Sequence, residues 1–272
     1  MSDPLLEAVL QGVRVVDLGR PLFFGMPQSP NHPAYWHTLP RRHGDSVRRD
    51  GGSAANDIIV TGTHVGTHID ALAHVSQDGR LHGGADAVEA GKGGRYLDLG
   101  VHTVAPMICR GVLLDVPEVL GLDICEPGYE IGPRELERAQ ELAGTGLKSG
   151  DVALIRSGWG QRFDEGASAY VGAGTGVPGV GEAGASWLAR RGVRAAGADT
   201  IAFERLRPGF GHSVLPAHRV LLVEHGIYII EALDLEGLAR QRLRVFTFLL
   251  IPLNLVGATG SPVRPLAVTS GA

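Results

Sequence analysis

The stretch IIVTGTHVGTHIDALAH, residues 58–74, joins a strand pattern to a cluster of metal-ligating side chains. Its first six residues are rich in β-branched side chains, which predicts a strand. The residues that follow supply three histidines and one aspartate: His64, His68, Asp70 and His74. Neutral imidazole and carboxylate groups suit Zn²⁺, Mn²⁺ or Fe²⁺. We therefore predict that His64, His68 and Asp70 bind a divalent metal and leave a position open for water.

The spacing of this cluster allows its side chains to converge. His64 and His68 are four residues apart, so either a helical turn or a tight loop would bring both rings to one side. His68 and Asp70 are two apart and share a face of an extended chain. Gly66 permits a sharp bend between these geometries. His74 can serve as a fourth ligand or as a general base, and the spacing leaves both roles open.

Outward from this cluster, predicted strands and helices alternate. Continuous apolar runs predict strands buried on both faces at residues 111–116 and 151–156. Further strands are predicted at 13–18, 193–197, 226–230 and 245–253, and helices at 132–143, 182–191 and 215–224. The first of these helices carries an apolar stripe of Leu136, Ala139, Leu142 and Ala143. Residues 21–44 contain five prolines and are predicted to form a long ordered loop. The mixture predicts an α/β fold with a mixed β-sheet, in a single domain over residues 1–272.

The composition excludes several classes of function. Hydrophobic residues make up 44% and charged residues 20%, as in ordinary globular proteins, and a net charge of −4 offers no basic face for nucleic acid. No apolar run approaches the roughly 18 residues of a membrane-spanning helix, and the N-terminus lacks the basic region of a signal peptide. Cys109 and Cys125 cannot form a disulfide scaffold. We expect a cytoplasmic protein that acts on a small molecule, without a nucleic-acid or membrane partner.

Residues 63–74 resemble the HxGTHxDxPxH signature of the metal-dependent cyclase family, which includes kynurenine formamidases and isatin hydrolases. Shorter segments similar to that family follow in the same order, at residues 17–27, 156–159, 178–200 and 257–265. The resemblance implies a mixed β-sheet flanked by helices, the swivelling β/β/α fold. It also implies a homodimer or homotetramer in which loops of a partner chain can complete the pocket. Leu72 departs from the signature, because it replaces a proline.

The resemblance also implies roles for individual residues. His64, His68 and Asp70 match metal ligands of the family, and His74 matches its acid and base. Where a second metal is present, Asp70 bridges to it, and the matching further ligands here are His218 and Glu231. One or two ions, Zn²⁺ or Mn²⁺, are expected per chain. The stretch from His218 to Glu231 is one residue longer than in the kynurenine formamidases.

Glu231 is a ligand candidate without the resemblance as well. It ends a predicted strand of apolar residues, where a carboxylate is costly unless it pairs with an arginine or binds a cation. For the substrate, Phe24 and Trp36 in the proline-rich region can wall an apolar pocket or pack the loop onto the core. His212 is a further polar candidate for substrate binding, and His82 a weaker one.

The predicted chemistry is that of a metal-dependent hydrolase. Metal-activated water would cleave a C–N bond in a small amide, imide or lactam, with His74 shuttling the proton. One alternative is a metal-dependent cyclase, dehydratase or lyase, in which the same site polarises a carbonyl and His74 takes a proton from carbon. A metal-binding module without catalytic activity is another alternative.

Overall fold

A nine-stranded sheet organises the computed structural model, which describes residues 3–271. In chain order the strands are β1 (Val13–Asp17), β2 (Trp36–Arg41), β3 (Asn56–Val60), β4 (His68–Asp70), β5 (Met107–Asp115), β6 (Glu130–Ile131), β7 (Val152–Arg156), β8 (Gly179–Val180), β9 (Ala195–Ala198), β10 (Tyr228–Glu231), β11 (Val245–Leu250), β12 (Gly260–Pro262) and β13 (Leu266–Ser270). The sheet order is β1-β13-β11-β5-β7-β9-β10-β4-β12. The remaining strands form two small pairs, β2 with β3 and β6 with β8.

The helices are short. They are α1 (Pro4–Leu10), α2 (Ala87–Ala90), α3 (Val116–Leu120), α4 (Pro133–Leu142), α5 (Ala167–Val171), α6 (Glu182–Arg190), α7 (Pro216–His218) and α8 (Glu236–Arg240). Helix α7 continues as a π-helical segment over Arg219–Glu224, and single 3₁₀ segments occur at His82–Gly84, Val101–Thr103 and Trp159–Glu165. Within residues 3–271, no helix has the length and apolar character needed to cross a membrane.

The sheet is mixed. Its four central strands, β5, β7, β9 and β10, run parallel to their neighbours in this group. Antiparallel strands extend it on both sides: β11, β13 and β1 beyond β5, and β4 and β12 beyond β10. This topology confirms the predicted α/β class with a mixed sheet flanked by helices.

The central strands are buried on both faces, as their continuous apolar runs predict. On one face, Leu114 and Ile155 pack in a core that includes Leu136 of α4. On the other face, Leu154 packs in a second core with Phe248 of β11. The two cores follow from the alternation of side chains along each strand. This packing fixes the strand ends where the candidate site lies.

Three sequence predictions needed correction. The expected loop over residues 21–44 contains strand β2, which pairs with β3 across a register shift near Pro40, where a proline is tolerated. The helix predicted at 215–224 is α-helical only at its start. In α4, Leu142 was predicted to lie on the buried stripe with Leu136 and Ala139, but it is 40% exposed.

The two-faced core predicts a large difference between two Leu→Ala substitutions. Leu154 is fully buried, so Leu154→Ala should lower the free energy of unfolding by about 2–5 kcal/mol through a lost contact surface and a cavity. Leu142→Ala is the matched control on the exposed side of α4, and its cost should stay within about 0.5 kcal/mol. Chemical denaturation of both variants measures this, and equal losses would contradict the assignment of the core.

Candidate metal centre

Strand β4 brings two predicted ligands to one face and pairs them with a third. His68 and Asp70 stand at the two ends of this short strand and share a face, as their spacing predicts. In the antiparallel register, Glu231 of β10 lies opposite His68. Gly260 of β12 lies opposite Asp70 on the other side of β4. Because residues opposite each other project to the same face, Glu231 joins His68 and Asp70.

A tight turn before β4 brings His64 to the same place. Gly66 has a φ of 68°, and a Cβ atom there would overlap the side chain of Leu22, so the turn requires glycine. The turn sets His64 Nδ1 at 2.7 Å from Asp70 Oδ1, and His64 Nε2 at 2.9 Å from Thr259 Oγ1. Of the two geometries that the spacing allows, the structure adopts the tight loop.

His218 completes the cluster from helix α7. Its Nε2 atom lies 3.2 Å from Glu231 Oε1 and 3.7 Å from Asp70 Oδ2. On the β4 side, His68 Nε2 lies 3.4 Å from Glu231 Oε2 and 3.5 Å from Asp70 Oδ1. The structure therefore brings together all the residues that were predicted as ligands: His64, His68, Asp70, His218 and Glu231.

In His68 and His218, the Nδ1 atom has a hydrogen-bond acceptor and the Nε2 atom faces the cluster. His68 Nδ1 lies 2.8 Å from the carbonyl oxygen of Gly66, to which it can donate. His218 Nδ1 lies 2.6 Å from Glu204 Oε1 and can donate to that carboxylate. Such partners fix the tautomer of a metal-binding histidine and place its lone pair on Nε2.

The cluster fits a divalent cation. Asp70 Oδ2 is buried and has no hydrogen-bond partner in the described part of the chain. The carboxylates of Asp70, Glu204 and Glu231 are all buried, and their ion pairs within residues 3–271 are to histidine alone. Buried carboxylates without lysine or arginine are costly unless a cation balances them.

Two groups of donors could hold an ion, and they share Asp70. The first is His64, Asp70 and His74, and the second is Asp70, His218 and Glu231. Within each group the donor atoms all lie within 4.8 Å of one another. The predicted metal ligands were His64, His68 and Asp70, but in the structure His74 rather than His68 joins His64 and Asp70 in the first group. His68 lies between Asp70 and Glu231. Its role as a fourth ligand or as an acid and base stays a prediction.

The surroundings of His74 disfavour its charged form. It stacks on His64 with ring centroids 3.8 Å apart, and its centroid lies 6.3 Å from that of His218. No residue in the described range 3–271 forms a hydrogen bond with this ring. Burial lowers the pKa of His74 to about 3; the charge of Asp70 acts against this shift, and the neighbouring His64 and His218 act with it. The geometry leaves a ring nitrogen of His74 free for a proton or an ion, while burial disfavours the charged ring.

The other titratable groups shift according to their partners. Burial opposes ionisation of Asp70, but its hydrogen bond with His64 and its electrostatic interactions with the surrounding histidines outweigh burial, so the pKa of Asp70 lies well below its usual range. Burial also disfavours a charged His218, but its hydrogen bonds with Glu204 and Glu231 raise the pKa of His218 well above the usual value. Burial raises the pKa of Glu231. The cluster is therefore an electrostatically coupled unit.

The predicted substrate-binding residues lie in different surroundings. Phe24 is 78% exposed and Trp36 is 45% exposed, and neither ring contacts a ring of the histidine cluster in the described chain. Both project from the outer surface of the proline-rich region and of strand β2. His212 is half-buried, and burial lowers its pKa. The nearby His218 lowers the pKa of His212 further, by a smaller amount. His82 instead supports the π-helical segment through Val223, whose carbonyl oxygen lies 2.9 Å from His82 Nδ1.

Two residues near the cluster escaped the sequence analysis. Glu204 follows the carboxyl end of β9. Because neighbouring parallel strands bring their carboxyl ends to one edge of the sheet, an acidic residue after β9 could have been predicted to lie near the site. His32 lies with its ring centroid 5.3 Å from that of His64 and 6.4 Å from that of His74. It comes from the proline-rich region, where no local pattern distinguishes it from a surface histidine.

A cavity of about 750 Å³ lies beside β4 but does not open onto the donor atoms. Its lining includes Arg20, Leu22, Thr67, Leu250 and Pro262, and none of the predicted ligands. Cavity volume therefore does not mark this site, whereas the donor chemistry does.

Comparison with known proteins places this chain in a family. The Cyclase family model matches residues 16–205, more than half of the chain. The chain belongs to the Cyclase family, as its resemblance to the metal-dependent cyclases implied. His64, His68, Asp70 and Glu204 lie inside the matched region, and His218 and Glu231 lie beyond it.

Individual relatives cover most of the chain. Kynurenine formamidase of Bacillus cereus (strain ATCC 14579) is 27% identical over 221 residues, which are 80% of this chain and 81% of that protein. The crystal structure of a novel cyclase has a TM-score of 0.85 at 26% identity, covering 98% of this chain and 94% of the other. Isatin hydrolase A from Ralstonia solanacearum has a TM-score of 0.75 at 22% identity, covering 99% and 98% of the two chains, and shares the fold.

The close approach of β12 to His64 predicts the effect of one added methyl group. A Cβ atom at Gly260 would lie 2.5 Å from Cε1 of His64, so Gly260→Ala should displace the ring and weaken metal binding. We expect a loss of about tenfold or more in affinity, as for other disturbances around metal ligands. Titration of the metal-free protein with Zn²⁺ measures it.

The matched control is Gly174→Ala, because a Cβ atom at Gly174 meets nothing within 4 Å. Its metal affinity should equal that of the unsubstituted protein. Equal affinities for all three proteins would show that the position of His64 does not matter for metal binding.

Proposed function

We propose that this chain is a divalent-metal-dependent hydrolase that cleaves a C–N bond in a small amide, imide or lactam. The arrangement of Asp70 carries the proposal: Oδ1 lies 2.7 Å from His64 Nδ1, while the buried Oδ2 has no hydrogen-bond partner within residues 3–271 and lies 3.7 Å from His218 Nε2. A carboxylate shared in this way by two donor groups suits a hydrolytic metal site. A relative named as a formamidase supports an amide substrate.

The residues that would hold the metal are His64, His68, Asp70, His218 and Glu231. Imidazole and carboxylate donors are compatible with Zn²⁺ or Mn²⁺, with one or two ions per chain. Such an ion, when bound, polarises a carbonyl group and makes a water molecule more acidic. The partners of His68 and His218 at Nδ1 hold both rings in a fixed orientation before the substrate arrives.

His74 is the residue that we assign to proton transfer. The attacking water loses a proton as its oxygen forms a bond to the carbonyl carbon, and the nitrogen gains one as the C–N bond breaks. The His74 ring is stacked on His64 and has no hydrogen bond to a described residue, so a ring nitrogen is free to take the first proton and deliver the second. His32 and His212 flank this region and are candidates for contacts with substrate.

Metal removal and one histidine substitution test this function. N-Formyl aromatic amines, cyclic imides and lactams should be hydrolysed by the Zn²⁺- or Mn²⁺-loaded protein and not after dialysis against a chelator. His74→Ala should lower kcat by about 10²–10⁴-fold, the usual contribution of an acid–base group. His43→Ala is the control, since its ring is exposed and hydrogen-bonded to Ser53, and it should retain full activity.

The same assays contain the result that would contradict a hydrolase. A loaded protein that left every C–N substrate intact, yet cyclised or dehydrated a small carbonyl compound, would establish the cyclase or lyase alternative. Metal bound stoichiometrically without turnover of either group of substrates would indicate a binding module.

We further propose a single domain over residues 1–272 that works in the cytoplasm as a homodimer or homotetramer. The free thiols of Cys109 and Cys125 are compatible with a reducing compartment. The β2–β3 hairpin supports self-association, because Ile58, Ile59 and Val60 are 49%, 58% and 53% exposed. Consecutive exposed apolar residues on a hairpin are typical of an interaction surface.

Self-association can be measured by sedimentation velocity. We expect a dimer or tetramer at micromolar concentration, and Ile59→Glu should shift it towards the monomer because a charge would be buried at the contact. Val88→Glu, at an exposed position of α2, should leave the assembly unchanged. A monomeric unsubstituted protein would contradict the proposed assembly.

A further inference from the structure

Glu204 binds both the backbone and the ring of His218, although it belongs to neither donor group. Its Oε1 atom accepts hydrogen bonds from the backbone N–H of His218 at 3.1 Å and from the ring Nδ1 of His218 at 2.6 Å. Its Oε2 atom accepts one from the backbone N–H of Ala217 at 3.0 Å. The side chain is 1% exposed, so water does not compete for these bonds. One carboxylate thus binds the backbone and the ring of His218 and the backbone of the residue before it.

These contacts fix where helix α7 begins. The first N–H groups of a helix have no partner within the helix, and Pro216 at its start supplies none. Glu204 satisfies the next two, at Ala217 and His218. The helix start and the ring of His218 are therefore placed by the same side chain.

The backbone before Glu204 is itself unusual. Phe203 has a φ of 56°, in the left-handed region that a bulky residue rarely adopts. The backbone forms a tight turn at this residue, in which Glu204 donates its N–H to the carbonyl oxygen of Ala202. Ala232, the residue after Glu231, also has a positive φ, of 53°. Such conformations cost free energy and persist where the surrounding structure enforces them, commonly at functional sites. The two positive-φ residues adjoin Glu204 and Glu231, which are two of the carboxylates that contact His218.

The two histidines with inward Nε2 atoms have different partners at Nδ1. His68 has the neutral carbonyl group of Gly66, whereas His218 has the carboxylate of Glu204. A carboxylate at Nδ1 selects the tautomer with its lone pair on Nε2 and makes the ring a stronger donor to a cation. The Nε2 atom of His218 faces Asp70 and Glu231, at 3.7 and 3.2 Å.

We propose that Glu204 is a positioning residue that fixes the orientation and tautomer of His218 and thereby sets the affinity of the donor group Asp70, His218 and Glu231 for its ion. This inference rests on the proposed metal-dependent function, because it requires that the donor group binds a cation. It assigns to Glu204 no contact with substrate and no part in proton transfer.

A double-mutant cycle on the metal-free protein tests the inference. Mn²⁺ is titrated into the unsubstituted protein, Glu204→Gln, His218→Ala and the double variant, and free Mn²⁺ is followed by electron paramagnetic resonance. Glu204→Gln keeps the shape of the side chain but removes its charge, and should weaken Mn²⁺ binding by about 10–100-fold. If Glu204 acts through His218, the same substitution should have no further effect in the His218→Ala background.

A spectroscopic readout separates positioning from a general loss of structure. In the Zn²⁺-loaded protein, long-range ¹H–¹⁵N correlation should show His218 protonated at Nδ1, and this signature should shift or broaden in Glu204→Gln. Glu182→Gln is the control, since Glu182 forms an exposed ion pair with Arg219 and should change neither Mn²⁺ affinity nor the histidine spectrum. Thermal unfolding of the metal-free variants reports any loss of fold.

Two results would overturn the inference, and another would overturn the function beneath it. Wild-type Mn²⁺ affinity and an unchanged His218 spectrum in a folded Glu204→Gln variant would exclude the positioning role. Equal effects of Glu204→Gln with and without His218 would also exclude it. An unsubstituted protein that binds no Mn²⁺ or Zn²⁺ would instead contradict the proposed metal centre itself.

Discussion

The burial of the Asp70 carboxylate at the end of β4 is the constraint that organises this structure. The side chain is fully buried, and its oxygens face histidines from the preceding turn, from β4 and from helix α7. Placing a carboxylate there requires β10 and β12 to bracket a strand of three residues, and it requires a glycine on each side of the cluster, at Gly66 and Gly260. Among the described residues, the ion pairs of this carboxylate are to histidines alone, so its charge calls for a cation. The chemistry that we propose follows from that requirement.

Much of the fold could be predicted from local patterns. Strand β7 and helix α4 were located from an apolar run and from a proline near a helix start, which are signals carried within each segment. Strand β2 was missed because its six residues include a proline and are mostly exposed, so its pairing with β3 alone makes it a strand. The pairing of β13 with β1 joins the two ends of the chain and has no local signal. What the sequence could not reveal were elements whose stability comes from distant partners.

The candidate site divides in the same way. The roles of His64, His68, Asp70 and His74 in the site could be predicted because these residues lie close together in the sequence, within residues 63–74. The assignment of His218 depended on the family resemblance, whereas Glu231 was also indicated by its place at the end of an apolar strand. The stretch between them is one residue longer than in the kynurenine formamidases, and the structure has a π-helical segment over Arg219–Glu224 within it. A π-helical turn holds more residues than an α-helical one, so it can absorb an extra residue while both side chains still reach Asp70. Glu204 and His32 required the folded chain, since each is brought to the cluster from a distant segment.

We propose that cations bind at Asp70, between the two donor groups. Anomalous diffraction from crystals of the protein loaded with Zn²⁺ or Mn²⁺ tests it most directly, because the signal locates the ion without reference to activity. We expect anomalous density in contact with the Asp70 carboxylate, with ligands drawn from His64, His68, His218 and Glu231. Density at another place in the protein, or none at Asp70 in crystals shown to contain the metal, would contradict it.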